Sequence, residues 1–250
     1  MGLLALGLLL VGGCGDRVDL APDEAAVLVP AEDGRVQYLA LGDSYTIGES
    51  VAEAERWPVQ MVGMLREAGV DVADPVIIAK TGWTVSDLSG AMRTQGVQGE
   101  WDLVSLLIGV NDQYRGYNPL EYPGGFAAML SRAIELAGRR PERVVVVSIP
   151  DWGVTPFGQS SGRAEATREK LDAYNDINRA ITRAAGAKYV DVTEVSRRAA
   201  DDPALTAEDG LHPSGELYRL WAEAATAAVR DELKTSTTTR PASLSEVIGR

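Results

Sequence analysis

The sequence predicts an α/β protein in which helices cover both faces of a parallel sheet. Two features of the sequence pattern support this prediction. Short apolar runs alternate with amphipathic segments of helical length along most of the chain. Each run is apolar almost throughout, which is typical of strands that are buried on both faces. The chain has 250 residues, of which 45% are hydrophobic and 24% charged, and this suits one soluble domain of roughly 200 residues with additional terminal segments.

Five strands and five longer helices are predicted between residues 36 and 233. The fourth strand contains four consecutive valines and is expected to lie in the core, and Pro58 suits the first turn of the first helix. The predicted strands cover residues 36–41, 75–79, 102–108, 143–149 and 188–192. The predicted helices cover residues 57–68, 85–92, 125–137, 163–185 and 214–233. We therefore expect a single domain over residues 36–233, followed by a frayed tail over residues 234–250 that is rich in Thr and Ser.

The first 35 residues are expected to direct export and to anchor the domain. An apolar run over residues 3–11 is too short to cross a bilayer and suits a signal peptide over residues 1–13. The VGGC sequence that ends at Cys14 resembles a bacterial lipobox, in which the cysteine carries lipid, and the acidic residues 14–35 suit a tether. No Lys or Arg precedes the apolar run, which leaves the true start codon open. We expect a lipoprotein on the outer face of a bacterial membrane, with plain secretion as the alternative.

The composition argues against several classes of partner. The net charge is −12 and the sequence pI is near 4.6, and no Lys/Arg cluster is long enough to follow a phosphate backbone. One cysteine and one histidine exclude an intrachain disulfide and argue against a zinc site. We therefore expect no nucleic-acid partner, no metal and no cofactor, while the oligomeric state is left open.

Reactive side chains follow the predicted strands at the points where the strands end. Ser44 follows the first strand, Gly82 the second and Asn111 the third, and the pair Asp209 and His212 comes after the fifth. In an open parallel sheet, ligands bind beyond the carboxyl ends of the strands, so these residues are expected to meet at one edge. His212 is the only histidine of the chain, which places its one imidazole, the usual proton shuttle of enzymes, at this edge.

These residue types suit acyl transfer. Ser44 offers a hydroxyl nucleophile, His212 a base that activates it, and Asp209 a carboxylate that fixes the tautomer of the imidazole. The backbone N–H of Gly82 and the side-chain amide of Asn111 can stabilise an oxyanion. Each residue alone also has a structural explanation, such as a helix cap at Ser44 or a turn glycine at Gly82. Their coincidence at one sheet edge favours a catalytic site.

The same blocks of sequence resemble the SGNH, or GDSL-type, hydrolase family over about residues 36–233. The blocks, in the family order, are Gly42-Asp43-Ser44, Gly82, Gly109-Val110-Asn111-Asp112 and Asp209-Gly210-Leu211-His212-Pro213. Tyr45 stands where the name motif of the family has leucine, a position to which we assign no chemical role.

The resemblance implies a three-layer α/β/α fold with a five-stranded, flavodoxin-like parallel sheet. It implies that Ser44 attacks the ester, that His212 acts as base and then as acid, and that Asp209 orients His212. It also implies an oxyanion hole formed by the N–H groups of Ser44 and Gly82 with the side chain of Asn111.

The sequence predicts the substrate only as an ester. Trp83, Trp152 and Phe157 lie in loops near the predicted edge and are candidates for a pocket that binds an acyl group or a sugar, although such residues also cover cores. The leading prediction is a carboxylesterase or lipase-like hydrolase of small-molecule, lipid or glycan esters. A carbohydrate O-deacetylase, a lysophospholipase and a thioesterase fit the same blocks. An α/β-hydrolase is disfavoured because its Gly-x-Ser-x-Gly turn would need glycine at Thr46, and a surface-anchored glycan-binding module is the non-enzymatic alternative.

Overall fold

The computed structural model describes residues 27–117, 120–162 and 164–239. The predicted signal peptide, Cys14, residues 14–26 of the predicted tether and residues 240–250 of the predicted tail lie outside these ranges. The five strands are β1 (Tyr38–Gly42), β2 (Val76–Ala79), β3 (Leu103–Leu107), β4 (Val144–Val147) and β5 (Lys188–Val190). They form one all-parallel sheet in the order β2-β1-β3-β4-β5, which confirms the predicted α/β class.

Nine α-helices connect and follow these strands within the described part of the chain. Four short helices are α1 (Ser44–Ile47), α4 (Val110–Tyr114), α6 (Pro156–Ser160) and α8 (Thr193–Arg197). The longer helices are α2 (Trp57–Glu67), α3 (Val85–Thr94), α5 (Tyr122–Leu136), α7 (Ala164–Ala184) and α9 (Gly215–Thr239). The five longer helices are those that the apolar periodicity predicted.

The strand order places the helices in two layers. The chain moves from β1 to β2 in one direction and then from β2 through β3 and β4 to β5 in the other. Because parallel crossovers are right-handed, this reversal puts α2 on one face and α3, α5 and α7 on the other. The last helix, α9, packs against α2 and against β4 and β5, so it completes the first face. The result is the predicted three-layer arrangement.

Apolar spacing fixes which side of each helix is buried. In α2, Trp57, Met61 and Leu65 follow each other at intervals of four residues, and each has less than 1% of its surface exposed. Side chains at this spacing lie on one face of a helix, and here that face packs against α9, whose Trp221 is fully buried. Removing any of these side chains would leave a cavity between the two helices and the sheet.

The structure differs from the predicted elements at a few boundaries. No bounds were predicted for the four short helices, since four or five residues are too few to show a helical period, although a short helix was expected after the fifth strand, where α8 lies. Helix α5 begins at Tyr122, three residues before the prediction, because Pro123 occupies its first turn. Residues 27–35, which the sequence assigned to the tether, lie against the domain, where Leu28 forms a parallel bridge with Val97. None of the helices over the described ranges is long and apolar enough to cross a membrane.

Candidate active site

The predicted nucleophile lies at the start of a short helix directly after the central strand. Asp43 caps this helix, since its side chain accepts a hydrogen bond of 3.1 Å from the backbone N–H of Tyr45. Ser44 is the first residue of α1 and is almost completely buried at the carboxyl edge of β1. Its backbone N–H donates no hydrogen bond to another described residue. The cap therefore fixes a serine hydroxyl and an unpaired N–H group at the same point.

The capping carboxyl group of Asp43 lies in an apolar environment. Its side chain is fully buried, and Oδ2 has no hydrogen-bond partner among the described residues. Burial raises the pKa of Asp43 to about 8, and the nearby carboxyl of Asp112 acts in the same direction, while the N–H of Tyr45 opposes them. Asp43 is therefore a neutral acid next to the nucleophile below about pH 8.

His212 and Asp209 form a hydrogen-bonded pair in the loop between β5 and α9. Nδ1 of His212 lies 2.5 Å from Oδ2 of Asp209, while Oδ1 accepts the backbone N–H groups of Leu211 and His212, each at 2.9 Å. The Ser50 hydroxyl donates to the same Oδ2 at 2.8 Å. Burial raises the pKa of Asp209, but these hydrogen bonds outweigh it and bring the pKa down to about 2. Asp209 is therefore ionised at ordinary pH, and as a pure acceptor it fixes the proton of the imidazole on Nδ1.

Tyr45, the residue directly after the predicted nucleophile, contacts the histidine. Its ring lies next to that of His212, with a distance of 5.3 Å between the ring centroids, and both side chains are buried. Ser44 directly precedes Tyr45, and a hydrogen bond between Ser44 Oγ and His212 is not formed in the described structure. Such catalytic hydrogen bonds often tighten only when substrate binds. Position 45 was predicted to have no chemical role, and the structure shows that its ring contacts the imidazole.

Gly82 lies in a turn between β2 and α3, and its N–H has no partner among the described residues. Its φ of +84° is a left-handed conformation that favours glycine, and its N–H donates no hydrogen bond within the described part of the chain. The carbonyl of Gly82 accepts a 2.6 Å hydrogen bond from Nη2 of Arg115, the residue that directly follows α4. The unpaired N–H groups of Ser44 and Gly82 are the backbone donors that an oxyanion would need.

Helix α4 holds this turn through two further hydrogen bonds. Nδ2 of Asn111 donates to the carbonyl of Trp83 at 2.9 Å, and Oδ2 of Asp112 accepts the N–H of Val85 at 3.1 Å. The Asn111 amide therefore uses one of its two N–H groups within the protein and retains one for a ligand. The segments that follow β2 and β3 are thus joined into one unit, with Asn111 in its centre.

Gly109 allows α4 to start close to α5. Its φ is +118°, and a Cβ at this position would lie 2.2 Å from Oη of Tyr122. The Tyr122 hydroxyl donates to Oδ1 of Asn178 at 2.9 Å, so it is not free to move away. Glycine is therefore required here both by backbone conformation and by space.

The three predicted pocket residues have different environments. Trp152 is 95% buried and donates from Nε1 to Gln113 Oε1 at 3.1 Å, so it mainly supports the loop after β4. Trp83 is half-buried, and its described hydrogen bond with Asn111 uses its carbonyl rather than its side chain. Phe157 is 40% exposed, and its N–H donates to the carbonyl of Gly210 at 2.9 Å, which places it beside the histidine loop. Phe157 is therefore the most accessible of the three.

Several residues at the site were not found by sequence reasoning. Arg115 lies four residues after Asn111, and this helical spacing was a usable signal, because side chains at i and i+4 share a face. Asp151, after β4, is fully buried and forms an ion pair of 2.9 Å with Arg197, which fixes the loop that carries Trp152. Ser50 offered no signal, since it contacts Asp209 across 159 positions of sequence.

A serine, a histidine–aspartate pair and unpaired N–H groups at one sheet edge are the components of a serine hydrolase. Residues 40–220 match the model of the GDSL-like Lipase/Acylhydrolase family, and the chain belongs to this family. The family membership confirms the resemblance that the four blocks indicated. A search of curated proteins gives no significant match.

Solved structures with the same fold include enzymes of this family at low sequence identity. A lipolytic G-D-S-L family protein from Veillonella parvula is 17% identical, with a TM-score of 0.57, and the match covers 76% of this chain and 96% of that one. The acetylxylan esterase Axe2 from Geobacillus stearothermophilus is 20% identical, with a TM-score of 0.58 and coverage of 78% and 96%. The lipase Lip_vut3 from a goat rumen metagenome is 21% identical, with a TM-score of 0.57 and coverage of 79% and 99%. These matches establish the fold.

Proposed function

We propose that this hydrolase cleaves carboxylic esters through an acyl-enzyme intermediate on Ser44. The observation that carries the proposal is the 2.5 Å contact between His212 Nδ1 and Asp209 Oδ2, because it leaves Nε2 as the nitrogen that can accept a proton. In the first step, Ser44 Oγ bonds to the ester carbon while its proton passes to His212 Nε2. The tetrahedral oxyanion then collapses, and the alcohol leaves with the proton from His212. Water repeats the sequence and releases the acid.

The oxyanion in both steps is proposed to bind at three N–H groups. The backbone N–H groups of Ser44 and Gly82 are unpaired, and Asn111 retains one amide N–H, which together support this assignment. Loss of a single donor in such a site typically costs on the order of 10²–10³ in rate. The ionised Asp209 stabilises the imidazolium that exists while the oxyanion is present.

The nucleophile and base can be tested directly. A fluorophosphonate probe is expected to label Ser44, and Ser44→Ala and His212→Ala are each expected to lower kcat by roughly 10⁴–10⁶, with little further loss in the double variant. Normal turnover in His212→Ala would contradict the mechanism. Absence of hydrolysis of any aryl ester by folded protein would favour the glycan-binding module instead.

Exposed apolar side chains at the site support an ester with an apolar part. Tyr114 and Tyr117 follow Asn111 on or just after α4 and are about half exposed, and Phe157 lies beside the histidine loop. Most large apolar side chains of the domain are buried, so exposed ones beside the site are candidates for binding an apolar group. We therefore propose a carboxylesterase or lipase-like activity on acyl esters rather than on sugar acetates.

A panel of esters would test this choice of substrate. With the alcohol held constant as p-nitrophenol, kcat/KM is expected to rise from acetyl to medium-length acyl chains. Each added CH₂ would bury apolar surface against the exposed side chains of Tyr114, Tyr117 and Phe157. Phe157→Ser should reduce the gain for longer chains and leave acetyl ester hydrolysis nearly unchanged. A preference for acetylated oligosaccharides, thioesters or lysophospholipids in matched assays would assign the protein to one of those alternatives.

We also propose that the protein is exported and lipid-anchored at Cys14. The support comes from the sequence alone, since Cys14 ends an apolar run within a lipobox-like motif. Several acyl chains on one cysteine would hold the protein firmly, because each buried CH₂ contributes about 0.8 kcal/mol. In a bacterial host the protein should enter the detergent phase, and Cys14→Ser should release it without loss of turnover. A mature terminus at another residue, found by mass spectrometry, would favour plain secretion.

A further inference from the structure

The turn that follows the nucleophile helix contains a serine in an unfavourable backbone conformation. Ser50 has a φ of +65°, and the only other non-glycine residue with positive φ in the described ranges is Arg139, at +59°. The left-handed region brings Cβ of an L-residue too close to the backbone, and glycine is the usual residue there. Such conformations persist where the surrounding structure requires them, and they concentrate at functional sites.

The side chain of Ser50 reaches the carboxylate that orients the histidine. Its Oγ donates a 2.8 Å hydrogen bond to Oδ2 of Asp209, the same oxygen that lies 2.5 Å from His212 Nδ1. The other oxygen, Oδ1, is held by the two backbone N–H groups of the Asp209–His212 segment itself. Among the described residues, Ser50 is thus the donor to this carboxylate from outside the Asp209–His212 segment. It lies in the turn directly after α1, the helix that begins with Ser44.

Glu49, the residue before Ser50, connects the same turn to the turn that contains Gly82. The N–H of Glu49 donates to the carbonyl of Ser44 at 3.0 Å, and the Glu49 carboxylate accepts a hydrogen bond from the hydroxyl of Thr81. Thr81 directly precedes Gly82. Glu49 and Ser50 therefore connect the nucleophile helix with the glycine turn on one side and with the histidine loop on the other.

We propose that Ser50 is a positioning residue for the catalytic pair, whose hydroxyl fixes the Asp209 carboxylate in the orientation that receives the His212 Nδ1 proton. This inference rests on the proposed serine esterase function. The left-handed backbone at position 50 is the conformation that directs Oγ at Asp209, which gives a reason for retaining serine where glycine would fit the backbone better.

The backbone strain and the hydroxyl can be separated by substitution. Ser50→Gly relieves the positive φ and removes the CH₂OH side chain with its hydrogen bond to Asp209. The free energy of unfolding should therefore stay equal or rise, while kcat falls about tenfold with KM unchanged, as for loss of a partly exposed hydrogen bond to a charged group. Ser50→Asn should recover part of kcat, because asparagine tolerates the left-handed region and its amide can donate to Asp209. Arg139→Gly is the matched control, since it relieves the same conformation without a contact to the catalytic pair, and kcat should not change.

The one histidine of the chain provides a readout that is independent of turnover. In protein labelled with ¹⁵N-histidine, the Nδ1 proton resonance arises from His212 alone, and a short hydrogen bond to a carboxylate moves it far downfield. Ser50→Gly should move this resonance upfield, and Arg139→Gly should leave it in place. An unchanged resonance and unchanged kcat in Ser50→Gly would overturn the inference, as would a loss of kcat that only follows a loss of stability. If wild-type protein hydrolyses no ester, the proposed function fails, while the resonance still decides whether Ser50 positions Asp209.

Discussion

Replacing Asp209 by asparagine is expected to invert the tautomer of His212, the proposed catalytic base. The carboxylate accepts four hydrogen bonds, two from backbone N–H groups and one each from His212 Nδ1 and the Ser50 hydroxyl. Asparagine is nearly the same size but has one oxygen and one NH₂ group, so it cannot accept all four. If its oxygen keeps the two backbone N–H groups, its NH₂ faces Nδ1. The imidazole then carries its proton on Nε2 and cannot take the proton of Ser44.

The expected loss in Asp209→Asn is large because two effects combine. The wrong tautomer removes the general base, and the missing charge no longer stabilises the imidazolium. A loss of about 10⁴ in kcat is typical for this change in a Ser-His-Asp site, which corresponds to about 5 kcal/mol of transition-state stabilisation. KM should change little, since Asp209 bonds to Nδ1 of His212, whereas Nε2 is the nitrogen proposed to act on the reacting groups.

The measurement requires folded protein with a known concentration of active sites. Turnover of p-nitrophenyl acetate is normalised by fluorophosphonate titration and compared with the fold monitored by circular dichroism. Because the pKa of Asp209 is lowered to about 2 from 3.8, its contribution to the free energy of unfolding is present above about pH 4 and is lost as the pH falls towards 2. The difference in stability between wild type and Asp209→Asn should therefore shrink over that interval. A variant that keeps more than a tenth of wild-type kcat would refute the assigned role of Asp209.

Three further predictions address the surroundings of the site. Burial raises the pKa of Asp43 from 3.8 to about 8, so between these values the folded state holds a proton that the unfolded state releases. As the pH rises from about 4 to 8, the free energy of unfolding should therefore fall by up to about 1.4 kcal/mol per pH unit. Urea titrations of Asp43→Asn should lack this slope, and equal slopes in variant and wild type would contradict the prediction. Gly109→Ala should destabilise the protein by about 1–3 kcal/mol in thermal unfolding and lower kcat, because its Cβ would lie 2.2 Å from Tyr122 Oη. Gly124→Ala is the control, since a Cβ there enters open space on helix α5, and it should be neutral or stabilising. Dialysis against a strong chelator should leave ester hydrolysis unchanged, since Ser44 is the proposed source of the attacking oxygen and no cluster of three or more potential metal ligands occurs among the described residues. Recovery of lost activity by zinc would indicate a metallohydrolase.

The sheet and the longer helices could be predicted because burial on both faces leaves a clear apolar signal. Each strand boundary in the structure lies within two residues of the prediction, and the alternation of strands with helices was sufficient to infer parallel pairing. The residues at the carboxyl ends of the strands could also be predicted, since topology alone brings these ends to one edge. Ser44, Gly82 and the pair Asp209–His212 were found in this way.

The supporting contacts could not be predicted, because they depend on side-chain directions in short or irregular segments. Ser50 binds Asp209 through a left-handed conformation that the sequence does not indicate. Arg115 is the exception, since its helical spacing from Asn111 was a usable signal for its contact with the carbonyl of Gly82. The role of Tyr45 was missed for a related reason. Its ring contacts His212 across the fold, and only the three-dimensional arrangement distinguishes this contact from ordinary core packing.

The position of α9 at the end of the domain determines when catalytic competence arises during synthesis. Helix α9 covers the same face of the sheet as α2 and buries Trp57 and Trp221, and His212 lies just before it in the chain. A nascent chain that lacks this last part exposes the apolar face of α2 and has no imidazole. The proposed base is therefore added to the chain together with the helix that completes the core. Partially made or truncated chains should consequently be inert as well as unstable, so that hydrolytic activity is confined to molecules that have completed folding.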